Sequence, residues 1–312
     1  MTLIHDIKNY TSNKPAILTI GTFDGVHLGH QKIIRSMVQL AKNKSAVANV
    51  LTFFPHPRIV LQKENSLMLI DTLDEKKIQL EKLGIDHLIV HPFTTDFSTL
   101  TAEEFVRQIL VEKLRIETLF IGYDHRFGRN REATVEHLIA FGKVFNFNVN
   151  FIEAQEVEEV TVSSTKIRNA IEKGDFISVR HYLGRPFEFT ATVIHGQEMG
   201  RKLNFPTANL GIADPHKIVP PNGVYLVQIW HKEKYHYGMM NVGKRPTLNG
   251  QTRTLEVHIF DFDKTIYGDS LTTFVYEKIR DEQKFDSLDA LQKQLYNDRD
   301  LCNKILTEKG LN

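Results

Sequence analysis

Between residues 16 and 152 of this 312-residue chain, short apolar runs recur with helical patterning between them. The runs are Ile17–Ile20, Val47–Phe53, His87–Val90, Thr118–Ile121 and Phe147–Ile152, and each reads as a buried strand. Thr72 with Glu75, and Thr101 with Glu104, have capping-box spacing at helix starts. After the second of these, Phe105, Ile109, Leu110 and Leu114 fall at helical spacing and give one apolar face. Strand and helix in regular alternation predict an α/β doubly wound fold, a parallel sheet with helices on both faces. Ligands in such sheets bind beyond the carboxyl ends of the strands.

The rhythm changes after about residue 185, and at this length two domains are the better expectation. A helix is predicted over Thr165–Glu172, ending near Gly174, and a second over Asp175–Tyr182. Beyond Leu183-Gly184-Arg185-Pro186 come short β-rich segments: Phe187–Ile194, Val224–Trp230, Tyr235–Met240, Thr254–Phe260 and Leu271–Val275. The turn signals Pro220–Gly223 and Leu248–Gly250 separate them, which predicts a small antiparallel β-barrel. A last helix, with Leu288, Leu291 and Leu295 on its apolar face, is expected to pack on that barrel. The boundary falls between residues 183 and 184, giving domains 1–183 and 184–312. The acidic stretch at 153–160 reads as a solvated strand face or loop.

A net charge of +1 gives no general attraction for nucleic acid or anionic membrane. Nor does the barrel sequence interleave basic and stacking aromatic residues as a nucleic-acid-binding barrel would. The single cysteine, Cys302, excludes an intrachain disulfide framework and a cysteine-based zinc site. The amino-terminal residues contain no apolar signal core, and no run approaches the ~20 apolar residues of a membrane span. The expectation is a soluble cytoplasmic protein whose partners are small molecules.

The stretch Gly-Thr-Phe-Asp-Gly-Val-His-Leu-Gly-His (21–30) follows the first strand directly and precedes helical residues from Gln31. Its glycines let the backbone turn sharply and approach a ligand. Gly29 and His30 fall near a helix amino terminus, where free N–H groups and the helix dipole favour an anion. His27 and His30, separated by two residues, have the donors to stabilise charge on a transferring phosphate. The segment His27-Leu28-Gly29-His30 resembles the H-x-G-H signature of the nucleotidyltransferase superfamily, whose members bind ATP in a doubly wound domain and release pyrophosphate. Ser163-Ser164-Thr165-Lys166-Ile167-Arg168 is similar to that superfamily's second phosphate-binding motif. Thr-Phe-Phe-Pro-His-Pro-Arg (52–58) and Ile-Gly-Tyr-Asp-His-Arg-Phe-Gly-Arg-Asn-Arg (121–131) follow the second and fourth strands. Together these motifs resemble the adenylyltransferase half of the bacterial bifunctional riboflavin kinase/FMN adenylyltransferase family. The resemblance implies ATP binding by Gly21, Phe23, Asp24, Gly29, Ser164, Thr165 and Arg168. It implies flavin binding by His56, Arg58, Asp124 and Arg126, with His27 and His30 catalytic. One departure is the Arg129–Glu132 loop, where the family usually has a glycine-containing turn.

The barrel carries its own cluster, Gly200–Leu210. Pro206 fixes its own φ and favours an extended Phe205, which would present Thr207 and Asn209 on a stiff turn. A hydroxyl and an amide oxygen are hard ligands suited to Mg²⁺ carrying nucleotide phosphates. By themselves the same residues more often form a turn that satisfies its own backbone. The Pro206-Thr207-Ala208-Asn209 segment is similar to that of riboflavin kinases, as are residues 241–247, 255–268 and 279–295. That likeness implies Mg-ATP binding by Gly200, Pro206, Thr207 and Asn209, the last two also as metal ligands. In Leu255–Phe260, Glu256 alternates away from Leu255 and Val257. The resemblance makes Glu256 the base that accepts the ribityl hydroxyl proton. Asn204 stands where many relatives have glycine.

The resemblance covers nearly the whole chain and implies two-step synthesis of a flavin cofactor. Riboflavin and ATP would give FMN in the barrel, and FMN and ATP would give FAD in the first domain. Mg²⁺ is the expected metal. The rival reading is a single-activity adenylyltransferase for another phosphate ester, with the barrel as a regulatory flavin sensor.

Overall fold

The computed structural model describes all residues except 63–66, 123–125, 153–161, 197–199, 201–202, 248–249 and 312. Asp124, the acidic stretch at 153–160 and the turn residues Leu248 and Asn249 therefore lie outside the described residues. The chain forms two compact units, Met1–Ser164 and Thr165–Asn312.

The first unit is built on a six-stranded parallel sheet of β1 (Thr2–His5), β2 (Ala16–Ile20), β3 (Val47–Phe54), β4 (His87–Pro92), β5 (Ile116–Gly122) and β6 (Asn148–Ile152). The strand order is β1-β4-β3-β2-β5-β6. Alternate side chains enter two different cores. Leu18, Leu51, Ile89 and Leu119 lie in one, and Ile17, Val50, Leu88 and Phe120 in the other. Burial on both faces is why these strands read as continuous apolar runs. The helix α1 (Leu28–Asn43) closes one face with Ile34, Met37, Val38 and Ala41. The short α2 (Pro57–Gln62) follows β3, and α3 (Leu73–Lys82) begins at the Thr72–Glu75 capping box.

The capping box at Thr101 is present too, but its helix runs after one turn into a π-helix, Phe105–Lys113. Leu114 N–H donates to Ile109 C=O, five residues back, at 2.9 Å. The wider turn brings Phe105, Val106, Leu110 and Leu114 into the core and leaves Ile109 at its margin. An apolar repeat of five and then four residues fits this period better than the α-helical one.

The second unit contains a closed barrel with strand order β10-β11-β8-β7-β12-β9, its neighbouring strands antiparallel, from β7 (Phe187–Ile194), β8 (Ala208–Gly211), β9 (Gly223–His231), β10 (Lys234–Thr247), β11 (Gly250–Ile259) and β12 (Ser270–Arg280). Two helices, Ser164–Lys173 and Phe176–Leu183, precede it, and Phe176 packs its ring on Phe187 and Tyr225 of the barrel. The C-terminal helix Leu288–Glu308 is anchored by Asp298, which accepts from Arg280 Nε at 2.9 Å and Arg280 Nη2 at 2.7 Å. Its packed face is Leu295, Cys302, Ile305 and Leu306, whereas Leu288 is 56% exposed. The helix thus meets the barrel through its later turns, and Leu288 lies off the apolar face predicted for it.

Candidate active sites

The order β3-β2-β5 sets the segments that follow these three strands side by side at the carboxyl edge of the sheet. The 21–30 loop leaves β2 at the centre. Gly21 N–H bonds back to Leu51 C=O of β3 at 3.1 Å, and Gly29 sits in the first turn of α1. Phe23 and Val26 adopt positive φ, 46° and 39°, conformations that cost a side chain with a Cβ. Asp24 holds this strained loop from both ends of its residue. Its Oδ1 accepts from the N–H groups of Ile70 (2.9 Å) and Asp71 (3.2 Å), and its C=O accepts from Ser164 Oγ (2.9 Å).

His27 is the N-cap of α1, its Nδ1 accepting from His30 N–H at 3.4 Å. The proton of neutral His27 therefore resides on Nε2, which makes that nitrogen the ring's donor. The His27 and His30 rings stack at 3.6 Å, and Phe23 meets His30 edge-on at 5.2 Å. Burial, then the charges of His27 and Lys76, push the His30 pKa well below its ordinary value. Among the described residues, His30 Nδ1 is a buried atom without a hydrogen-bond partner. Such an atom at a helix amino terminus fits an incoming phosphoryl oxygen.

After β3, His56 is buried and its Nδ1 accepts from Arg58 N–H at 3.1 Å, while the Arg58 side chain is exposed. After β5, Arg126 is exposed beside the buried Phe127. The loop that departs from the family pattern forms a tight turn at Arg129–Arg131, where Asn130 takes φ 56°. Asparagine tolerates the left-handed conformation, so it fills the glycine's role. Thr165 is exposed and Arg168 half-buried on the first turns of the helix Ser164–Lys173, in the second unit.

In the barrel the Pro-Thr-Ala-Asn segment passes directly into strand β8, so Asn209 sits in a strand rather than a turn. It pairs with Glu256 of β11, and Ala208 with Val257. Thr207 Oγ1 lies 3.5 Å from Glu256 Oε2. Leu255, Val257 and Ile259 are buried while Glu256, His258 and Phe260 are half-buried, as the alternation predicts. His258, two residues from Glu256 on the same face, donates from Nδ1 to Pro206 C=O at 2.8 Å. Burial lowers its pKa, while the hydrogen bond to Pro206 opposes that shift. Sequence reasoning assigned His258 no part; its i, i+2 spacing from Glu256 was the available signal.

Two glycines near this segment leave no room for a side chain as the structure stands. A Cβ on Gly200 would lie 2.1 Å from Phe205 C=O, and Phe205 N–H bonds back to Gly200 C=O at 2.9 Å. A Cβ on Gly196 would lie 2.0 Å from Asn209 Nδ2. Asn204, at φ 61°, again occupies the left-handed conformation a glycine would take. Thr207 and Glu256 are thus in contact, and Asn209 is the residue paired with Glu256 across the two strands. Among the described residues no cluster of three His, Cys, Asp or Glu side chains could chelate a metal unaided. The donor set instead fits Mg²⁺, which binds through few protein oxygens together with substrate phosphates.

Residues 9–166 match the model of the FAD synthetase family, and residues 183–306 match that of riboflavin kinase. The bifunctional riboflavin kinase/FMN adenylyltransferase of Buchnera aphidicola subsp. Schizaphis graminum is 36% identical over 96% of both chains. That of Haemophilus influenzae is 39% identical over 90% of this chain and 91% of its own. A crystal structure described as a macrolide-efflux protein from Streptococcus pneumoniae superposes with a TM-score of 0.88 at 30% identity, over 97% of this chain and 99% of that one. No helix among the described residues is long and apolar enough to cross a membrane. Two domain matches in order along the chain, and relatives alike over nine-tenths or more of it, establish that the chain belongs to the bifunctional riboflavin kinase/FMN adenylyltransferase family.

Proposed function

We propose that the protein makes FAD in two steps, one in each unit. In the barrel, the riboflavin 5′-hydroxyl attacks the γ-phosphorus of ATP. Its proton passes to the Glu256 carboxylate as the new O–P bond forms and ADP departs. Thr207 Oγ1 and the Asn209 side-chain oxygen would hold Mg²⁺ with the ATP phosphates. When bound, that ion supplies positive charge that offsets the charge on the transferring phosphoryl group. Gly200 and Pro206 shape the backbone that meets the nucleotide, and His258 fixes that backbone through Pro206.

In the first unit, an FMN phosphate oxygen attacks the α-phosphorus of ATP. One P–O bond forms, the α–β bridging bond breaks, and pyrophosphate leaves. FMN arrives with its phosphate ionised, so this step needs charge stabilisation rather than a base. His27 Nε2–H, the His30 ring and the N–H groups at the start of α1 supply it. Gly21, Phe23, Asp24 and Gly29 form the loop around the phosphates, with Ser164 bonded to Asp24 C=O beside it. His56, Arg58, Asp124 and Arg126 contact the flavin from the neighbouring strand ends, apart from Asp124 a reading supported by the order β3-β2-β5. The catalytic boundary lies at 183/184, and with ATP as co-substrate the working location is the cytoplasm.

The observation that carries the kinase half is the convergence of Thr207, Asn209 and Glu256. A flavin sensor that performs no chemistry has no need of a carboxylate set against a Thr–Asn pair. The test is incubation with riboflavin and Mg-ATP, with products separated by chromatography. FMN should appear first and FAD after it. FMN without FAD, or FAD only from added FMN, would limit the protein to one activity.

A further inference from the structure

In the C-terminal helix Leu288–Glu308, Gln292, Tyr296 and Arg299 recur at i, i+4 and i+7, so they lie along one side of it. That side meets the Gly200–Leu210 segment. Gln292 Nε2 donates to Leu203 C=O at 3.1 Å. The Tyr296 ring meets the Phe205 ring edge-on at 4.9 Å. The Arg299 guanidinium carbon lies 5.8 Å from the centre of the Phe205 ring and 5.0 Å from that of Tyr296. From the barrel, His258 meets the same Phe205 ring edge-on at 5.0 Å, and Phe205 is fully buried among them.

Within the segment, the N–H groups of Leu203 (3.1 Å) and Phe205 (2.9 Å) both donate to Gly200 C=O, which closes a tight loop. Between them Asn204 takes φ 61°. Its side chain is exposed and makes no hydrogen bond among the described residues, so it does not hold its own backbone there. A left-handed residue of this kind stays in place where its surroundings fix it. The bonds to Gly200 close the loop but do not set where it stands against β8 and β11. Two bonds from outside do that. His258 Nδ1 donates to Pro206 C=O at 2.8 Å and Gln292 to Leu203 C=O, so the carbonyls on either side of Asn204-Phe205 are both anchored. Thr207 follows the second anchor directly.

Resting on the kinase reading of the barrel, we infer that Gln292 is a positioning residue for riboflavin phosphorylation. Its amide pins the start of the turn from the side of the C-terminal helix, as His258 pins its end from the barrel. Thr207 and Asn209 therefore meet Mg-ATP already in place. Binding then need not order the segment, and the ordering cost is what Gln292 removes. The helix does this with its polar side, while Leu295, Cys302 and Leu306 pack it on the barrel. Gln292 touches no reacting atom in this account; it acts through the backbone of Leu203–Pro206.

The test compares the full-length protein with Gln292→Met, Gln292→Lys and Lys293→Met. It measures kcat and KM for ATP in FMN formation from riboflavin, the same constants in FAD formation from FMN, and the urea midpoint. Gln292→Met keeps length and helix preference but has no donor. Loss of one net hydrogen bond corresponds to about fivefold, so KM for ATP in the kinase step should rise by that factor, with a much smaller change in kcat. Both constants for FAD formation should stay as they are. Gln292→Lys, which keeps an N–H donor on a chain of similar reach, should recover most of the loss. Lys293→Met, exposed on the same turn, should leave every value unchanged. A glutamine that only attached the helix would lower the urea midpoint in Gln292→Met and leave KM for ATP alone. That result, or a raised KM that Gln292→Lys does not reverse, would overturn the inference. If Gln292→Met fails to fold, Gln292→Glu, which keeps the shape but has no N–H to donate, replaces it with the same expected rise. Failure of the unsubstituted protein to make FMN from riboflavin would instead reject the kinase reading.

Discussion

The imidazoles of His27 and His30 stack with centroids 3.6 Å apart and planes 18° from parallel, while His27 Nδ1 caps the backbone N–H of His30. Two positive rings at that separation would repel strongly, so the pair meets ATP with at most one charge. Replacing both by Ala removes donors aimed at the charge that develops on the phosphates, each worth roughly 10²–10³-fold in kcat. Started from riboflavin, the double variant should accumulate FMN and form almost no FAD. FAD at the unsubstituted rate would place adenylyl transfer elsewhere.

The same burial makes stability pH-dependent. The folded-state pKa of His30 lies well below 6.5, through burial first and then His27 and Lys76, and burial also lowers His87 and His91. As pH falls through the ordinary histidine value, the unfolded chain takes up protons that these folded rings refuse. Stability is therefore full above that value and declines below it. The urea midpoint should drop between about pH 7.5 and about pH 5.5, and His30→Phe, which keeps an aromatic ring without a titrating nitrogen, should flatten that drop. An equally steep decline in the variant would remove His30 as a source.

Phe176, Val179 and Leu183 are fully buried in the unit that contains the barrel, although the catalytic boundary is placed after them. A fragment of residues 184–312 should phosphorylate riboflavin, and one of residues 165–312 should do so with greater stability. Three buried apolar side chains are worth roughly 5 kcal/mol before entropic losses. Denaturant unfolding of the two fragments measures the difference. Equal midpoints would show that the helix contributes nothing to the barrel, and a folded but inactive 184–312 would move the boundary.

Gly196 is tied to Asn209 by space alone, since a Cβ there would lie 2.0 Å from the Asn209 amide. Gly196→Ala should displace Asn209 and slow the kinase step by about tenfold or more, as misplacement of a positioning group does. The FMN-to-FAD step should be unaffected. Steady-state rates from each flavin check this, and an unimpaired kinase step would mean that Asn209 holds no essential position.

Much of the fold was legible because the parallel strands are buried on both faces and so read as apolar runs. Strand β1 was not, since Thr2–His5 is short and mixed in character and is a strand only through its pairing with β4. The π-helix was read as α because a five-then-four apolar spacing also marks, less well, an α-helical stripe. Strand β8 was read as a turn because Pro206 and Asn209 are turn residues locally, and pairing with β11 overrides that preference. His27, His30 and Glu256 were legible from motif and alternation. His258 was not, because its role comes from Pro206, 52 residues away in sequence.

Two independent sites on one chain form the central claim, and Glu256→Gln tests it most directly. The substitution keeps size and hydrogen-bonding reach but removes the base, so conversion of riboflavin to FMN should slow by about 10²-fold or more. FMN needs no deprotonation at that site, and its conversion to FAD should proceed at close to the unsubstituted rate. Two product time courses on the folded variant, one started from riboflavin and one from FMN, give the answer. Loss in the first course alone is the predicted result; equal loss in both, or an intact kinase step, would contradict the account.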